Sequence, residues 1–405
     1  MKTKSFTYLW IGQSMANAGD IFYIVSLIAS IYQMTESTFV TAFIPFTVTI
    51  SQFISGFVAP LVIDRASLKN ILVYSQLGKT ILLVALMAYT TLESGGQSIL
   101  IVVFLIVAFI AFLDGWANPA KGALVPRLVS QEEWMKANGF MSVIDQIVQL
   151  GGWPAGSLLV AWVGPPPLLS ITCAMYALAT AAMALIQEGA NMDQPKGKKG
   201  AADSLKEGWS IIWKHRPIRY LTIISCMESM ANVVWIAAIL YVYVDEQLGV
   251  SEAWWGFINT SFFAGLLIGG FIAMKSSGFI EKNMSVIFIS FGIGISIVTL
   301  LFGFTTIPYA ALGFSFAFGI CNEIQQIIVT TTLQKKTDSG QLPKIYAAQG
   351  ALFGLMFGIS SLLAGFLADI VSVRFLFAGA SAILLIVAMV AWNQKKSLFN
   401  RKELG

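Results

Sequence analysis

The sequence predicts an all-α membrane protein of twelve transmembrane helices arranged as two six-helix halves. Three observations carry this. The 405 residues are 57% hydrophobic and only 11% charged, with a mean hydropathy of +0.75, whereas soluble globular chains carry roughly a quarter charged residues. The hydrophobic residues come in blocks of the ~20 residues that a helix needs to cross a bilayer. The longest polar interval, 188–219, divides those blocks six and six.

Closed-barrel strands are excluded, because they need only ~10 residues each and alternate in polarity. Lipid satisfies no open backbone group, so helices remain. The expected spans are 6–32, 38–63, 71–92, 99–113 with an extension toward 120, 140–163, 168–186, 220–244, 254–274, 284–304, 307–332, 346–368 and 375–392. They define an N-terminal half over 1–187, a linker over 188–219, a C-terminal half over 220–394 and a tail over 395–405.

Lysine and arginine accumulate in cytoplasmic loops. With the N-terminus inside, 23 of the 25 basic residues fall on the cytoplasmic side; Lys79 lies within a span and Arg374 in an outer loop. Both termini are therefore expected in the cytoplasm of a cell (inner) membrane protein. The net charge of +4 reflects this bias and points to no nucleic-acid partner. Residues 1–4 run into the first apolar block without a cleavage signal, so that helix is expected to be its own insertion signal.

Within the linker, 189–202 is expected to be flexible. Beyond it Leu205, Trp209 and Ile212 fall at helical spacing opposite Lys206 and Glu207. This segment reads either as an amphipathic helix on the inner leaflet or as a cap on the seventh span. Two six-helix halves, a basic central linker and both ends inside is a plan that secondary transporters build from repeats.

Other functions lack their chemistry. Cys173, Cys226 and Cys321 lie singly in apolar blocks and read as packing residues. The lone histidine, His215, sits between Lys214 and Arg216. No catalytic residue, metal site or cofactor is expected. Without a Gly-x-x-x-x-Gly-Lys-Ser/Thr loop the chain does not read as a nucleotide-driven pump.

Charges in hydrocarbon are costly and normally face a cavity or a partner. Asp20, Lys79, Asp145, Glu228 and Glu323 lie more than a helical turn inside the expected spans. Gln13, Asn17 and Asp20 form one polar stripe, Ser142, Asp145 and Gln149 a second, and Glu228, Asn232 and Trp235 a third. Asn322, Glu323, Gln325 and Gln326 crowd one level of the tenth span. Helical spacing places each stripe on one face. Lys79 reads as a structural ion pair with Asp20 or Asp145. Glu228 and Glu323 have no basic residue at i±3 or i±4, which makes them the first candidates for proton coupling, followed by Asp20 and Asp145. A carboxyl there can hold a proton while dry and release it when the cavity hydrates. Asp114 is expected near the inner surface, in the loop network.

These residues also resemble the major facilitator superfamily, over essentially the whole chain. The family's loop between helices two and three reads Gly-x-x-x-Asp-Arg-x-Gly-Arg-Lys. Here 60–69 keeps Asp64, Arg65 and Lys69 and lacks both glycines and one arginine. The resemblance implies that these three residues form a conformational latch at the cytoplasmic edge. Several features are similar to the macrolide-efflux-like branch of drug:proton antiporters. They are Gly19-Asp20 in helix one, Asn118-Pro119-Ala120-Lys121 ending helix four, Leu124-Val125-Pro126 before Ala137-Asn138-Gly139 opening helix five, and Lys206-Glu207-Gly208 in the linker. The antiporter motif Gly-Pro-x-x-Gly-Gly has a shuffled counterpart in Gly151-Gly152-Trp153-Pro154-Ala155-Gly156. There Gly152 and Gly156 allow close helix approach and Pro154 a kink. In the family fold helices one, four, seven and ten line the central cavity. That implies cargo contact for Gln13, Asn17, Asn232, Trp235, Asn322, Gln325 and Gln326.

The expected function is export of small hydrophobic or cationic, drug-like compounds by proton antiport through alternating access. A dedicated exporter of one metabolite or siderophore, or an importer on the same fold, is the alternative. The expected partners are a small-molecule substrate, protons and the lipid bilayer. The chain is expected to act as a monomer.

Overall fold

The computed structural model describes residues 3–92, 97–187, 201–235, 237–368 and 370–399, which are almost entirely helical. The first seven helices are α1 (Lys4–Thr35), α2 (Thr38–Ile63), α3 (Leu68–Leu92), α4 (Gln97–Leu128), α5 (Trp134–Val163), α6 (Pro165–Ala184) and α7 (Ala201–Lys214). Then come α8 (Arg216–Ala231), α9 (Ala237–Val242), α10 (Ala253–Lys275), α11 (Ser277–Lys282) and α12 (Met284–Phe304). The last are α13 (Pro308–Lys336), α14 (Leu342–Ala368), α15 (Val373–Asn393) and α16 (Lys395–Phe399). The expected linker residues 188–200 and tail residues 400–405 lie outside the described residues.

Among the described residues ten helices are long and apolar enough to cross a membrane, and the pair α8 and α9, bent by 44°, makes an eleventh span. α5, with 30 residues, has the length for a twelfth, about 45 Å at the helical rise. It carries Lys136 and Asp145. The fold class is the one expected from the sequence. Large apolar side chains such as Phe109, Leu362 and Phe366 stand exposed, as a lipid solvent requires and water does not.

Local signals set the boundaries. The hydroxyls of Thr3, Ser37 and Ser372 accept from the backbone N–H groups of Phe6, Val40 and Arg374 and so cap α1, α2 and α15. Pro165 and Pro308 occupy first turns, where a missing N–H has no helical partner to lose. Two boundaries differ from expectation. α4 continues through Pro119 and Pro126 to Leu128 instead of ending near 120, since neighbouring groups in a membrane bundle can replace the bonds proline removes. The seventh span is broken: a 3-10 turn, Asn232–Trp235, follows α8, and a π turn, Tyr243–Leu248, follows α9.

Contacts divide the chain into two compact units. The first comprises Met1–Ser130, Ile147–Trp209 and Ser339–Ala351. In it α1 packs on α6, α2 on α4, and α3 on both α4 and α6, around a core that includes Tyr23, Ile44, Leu83 and Val107. The second comprises Gln131–Gln146, Ser210–Asp338 and Leu352–Gly405. There α10 packs along α13, and α12 along α13 and α15, around an aromatic core of Tyr243, Phe302, Phe318 and Phe377.

Candidate functional site

In the first unit α1, α3, α4 and α6 each bring one polar side chain to a common point. Lys79 of α3, 1% exposed, donates to Asp20 Oδ1 at 2.6 Å and to Asp114 Oδ1 at 2.7 Å. The Tyr176 hydroxyl donates to the same Asp20 oxygen. Its ring centroid lies 4.8 Å from Lys79 Nζ, within cation–π range. Gly19 makes room for that ring, because a Cβ there would stand 2.7 Å from Tyr176 Cε1. The Gly19-Asp20 pair thus has a local physical reason.

Asp114 corrects the sequence reading. It does not join a loop network; α4 runs on to Leu128, so Asp114 stands within the helix and pairs with Lys79. Asp145, the alternative partner named for Lys79, belongs to the second unit. On α1, Gln13 and Asn17 bond each other, Nε2 to Oδ1, at 2.7 Å.

In the second unit Glu323 of α13 accepts from the Ser142 hydroxyl and, at 3.5 Å, from Gln146 Nε2, both on α5. Gln326, one turn along α13, donates to Glu228 Oε2 of α8 at 3.2 Å. Glu228 and Glu323 are 4% and 7% exposed. Residues three apart share a helix face, which is why Glu323 and Gln326 turn the same way. Gln325 stands about 200° around the helix from Glu323. It is buried and donates to the Phe288 carbonyl of α12 at 2.7 Å. Gln325 therefore ties two helices together and is withdrawn as a cargo contact. Asn322 is half-buried.

Asn232 and Trp235 fall in the turn that breaks the seventh span. The Trp235 ring packs on Phe262, Phe302, Phe318 and Phe377. Trp235 Nε1 and Asn232 Oδ1 are buried with no hydrogen-bond partner among the described residues.

The Gly152 and Gly156 positions of α5 face α1: their Cβ atoms would lie 2.7 Å from Ile21 Cδ1 and 3.2 Å from Phe22 Cδ1. α5 runs unbroken through Pro154.

At the end of α2, Asp64 pairs with Lys344 of α14. Lys344, 5% exposed, also donates to Glu207 of α7 at 2.7 Å. A Cβ on Gly208 would stand 2.6 Å from the Lys344 carbonyl oxygen. The Glu207-Gly208 step thus docks α7 on protein, which the inner-leaflet reading of the linker does not include. Arg65 is exposed and Lys69 half-buried in the first turn of α3. Sequence reasoning missed Tyr176, Gln146 and Lys344. Only Gln146 left a signal, lying four residues after Ser142.

An apolar-coated helical bundle with charged side chains held at mid-helix is that of a multi-pass membrane protein. The comparisons make the assignment specific. The Major Facilitator Superfamily model matches residues 9–339, and the chain belongs to that family. It is 28% identical over 395 residues to the uncharacterised MFS-type transporter YfmI of Bacillus subtilis (strain 168), covering 97% of each chain. To YjbB of the same organism, also an uncharacterised MFS-type transporter, it is 26% identical over 403 residues, covering 100% of this chain and 98% of that one. Its fold is similar to that of a bacterial homologue of the iron transporter ferroportin in an outward-facing state. That match has a TM-score of 0.78 and 15% identity, covering 96% of this chain and 99% of the other. The E. coli fucose:proton symporter FucP gives a TM-score of 0.74 at 14% identity, with 95% and 98% covered. The cargo of such a transporter is a small molecule.

Proposed function

We propose that this transporter exports small hydrophobic or cationic, drug-like compounds in exchange for protons, as the macrolide-efflux-like antiporters that its motifs resemble do. The six-helix halves, 1–187 and 220–394, are the repeats of an alternating-access cycle, with both termini cytoplasmic. The observation that carries this reading is the state of Glu228 and Glu323. Both are buried acids, and their described partners are hydroxyl and amide groups rather than cations. Neutral donors leave a carboxyl free to take up a proton, and the same carboxylate can hold a cationic head group when cargo replaces the proton. Asp20 and Asp145 stand behind them in the coupling role. Gln13, Asn17, Asn232, Trp235, Asn322 and Gln326 are the cargo contacts.

Everted membrane vesicles, which turn the cytoplasmic face outward, should accumulate a cationic dye or a macrolide when their lumen is acidified. Collapsing the gradient should release it. Equal accumulation with and without the gradient excludes proton antiport, and accumulation in right-side-out vesicles alone reverses the direction.

Asp64, Arg65 and Lys69 form the latch, with Lys344 and Glu207 as its closing partners. Asp64→Asn removes one of the two charges on Lys344, a charged contact worth about 1.5 kcal/mol. Turnover should fall roughly tenfold while the half-saturating cargo concentration stays near wild type. A large affinity loss at unchanged turnover would sink the latch assignment.

A further inference from the structure

The Lys79 cluster differs in one respect from a closed salt bridge: its charges do not cancel. Two carboxylates, Asp20 and Asp114, bond one ammonium group. Among the described residues, the other titratable side chains facing them are the phenols of Tyr23 on α1 and Tyr176 on α6, both buried. α2, which also packs on α4, carries no titratable side chain along its length. Of the cations on the surrounding helices, Lys4, Lys69 and Arg127 stand in terminal turns, and Lys121 lies two turns along α4 from Asp114. With both carboxyls and the lysine ionised and the phenols neutral, the cluster holds one unbalanced negative charge inside a membrane helix bundle, which is expensive. It therefore calls for one monovalent cation.

Geometry selects which cation. A metal ion takes several oxygen ligands, and here it would sit against an ammonium already 2.6 and 2.7 Å from both carboxylates. A proton needs one oxygen and no shell. Asp20 Oδ1 receives two donors, Lys79 Nζ and the Tyr176 hydroxyl, whereas Asp114 receives one of these, Lys79 Nζ. The negative charge is better supported on Asp20, so the proton belongs on Asp114, at Oδ2, the oxygen that Lys79 does not use. Access is one-sided: the side chains of Asp20 and Asp114 are 24% and 18% exposed, that of Lys79 only 1%. The lysine closes the back of the site and the acids form its open front.

We propose that Asp20, Lys79, Asp114 and Tyr176 form a proton-binding site of the first unit, distinct from Glu228 and Glu323, in which Asp114 carries the exchangeable proton. A proton passes from water to Asp114 Oδ2, the cluster goes from one net negative charge to none, and Lys79 stays paired with Asp20 throughout.

The test is an infrared titration of the purified full-length protein with its aspartate side-chain carboxyls labelled with carbon-13. A protonated carboxyl has a C=O stretch that a carboxylate lacks, and the label separates aspartic from glutamic bands. Wild-type protein should show a label-shifted band that titrates reversibly and is lost in Asp114→Asn. Glu228→Gln and Glu323→Gln should leave that band unchanged. No label-shifted band anywhere in the pH range of the folded wild-type protein overturns the proposal without any variant. A band of unchanged intensity in Asp114→Asn overturns it as well. Failure of gradient-driven transport in vesicles would leave these bands untouched, so the two readings fail separately.

Discussion

Replacing both Glu228 and Glu323 by glutamine should reduce gradient-driven accumulation in everted vesicles to the level of vesicles without the transporter, while exchange of labelled for unlabelled cargo persists. Glutamine keeps the length and planarity of each side chain and can still bond Ser142, Gln146 or Gln326, so packing around α8, α5 and α13 is preserved. What it lacks is a titratable proton. Binding and alternating access then continue without coupling. Each single substitution should leave a reduced but measurable gradient response if the acids share the task through Gln326. Full gradient-driven transport in the double variant would make both acids structural. Coupling would then pass to the cluster of Asp20, Lys79 and Asp114 or to Asp145, or the antiport reading itself would fall.

Lys79→Met should produce the largest stability loss of any single substitution considered for this chain. The change keeps an unbranched side chain of similar length and removes the one ammonium that Asp20 and Asp114 share. Breaking a buried ion pair from one side costs about 3 kcal/mol, at the low end of the usual range here because both acids keep some access to water. Thermal unfolding of the detergent-purified protein should show it as a clear fall in midpoint. Adding Asp114→Asn should recover part of the loss, since it takes away one of the two stranded carboxylates. A Lys79→Met protein as stable as wild type would show that the cluster contributes nothing to holding α1, α3 and α4 together.

Much of the candidate site was visible as an anomaly before any of its geometry. Asp20, Lys79, Glu228 and Glu323 stand out because a charge inside an apolar block needs a reason, and block and charge are both read directly from the chain. Their partners were not legible to the same degree. Ser142 was placed in a stripe with Asp145 and Gln149, whereas the contacts to Glu323 come from Ser142 and Gln146. One residue turns a helix face by about 100°, so a stripe narrows the choice without deciding which edge meets the neighbour. Gln325 shows the same limit: adjacent to Gln326 in the chain, it bonds α12 while Gln326 bonds Glu228. Asp114 was misplaced for a different reason: the helix end was set near 120, whereas α4 runs on to Leu128.

By itself the sequence determined the solvent, the secondary structure class and the approximate helix count, together with the short list of embedded charges. These depend on the length and polarity of contiguous segments, which a bilayer reads locally and nearly residue by residue. Only the tertiary structure decided that Lys79 joins Asp114, that Lys344 stands between Asp64 and Glu207, and that the seventh span breaks just beyond Glu228. Each of these depends on how one helix is rotated and packed against others far away in the chain. That rotation comes from the fit of many side chains at once, and no local run of residues contains it.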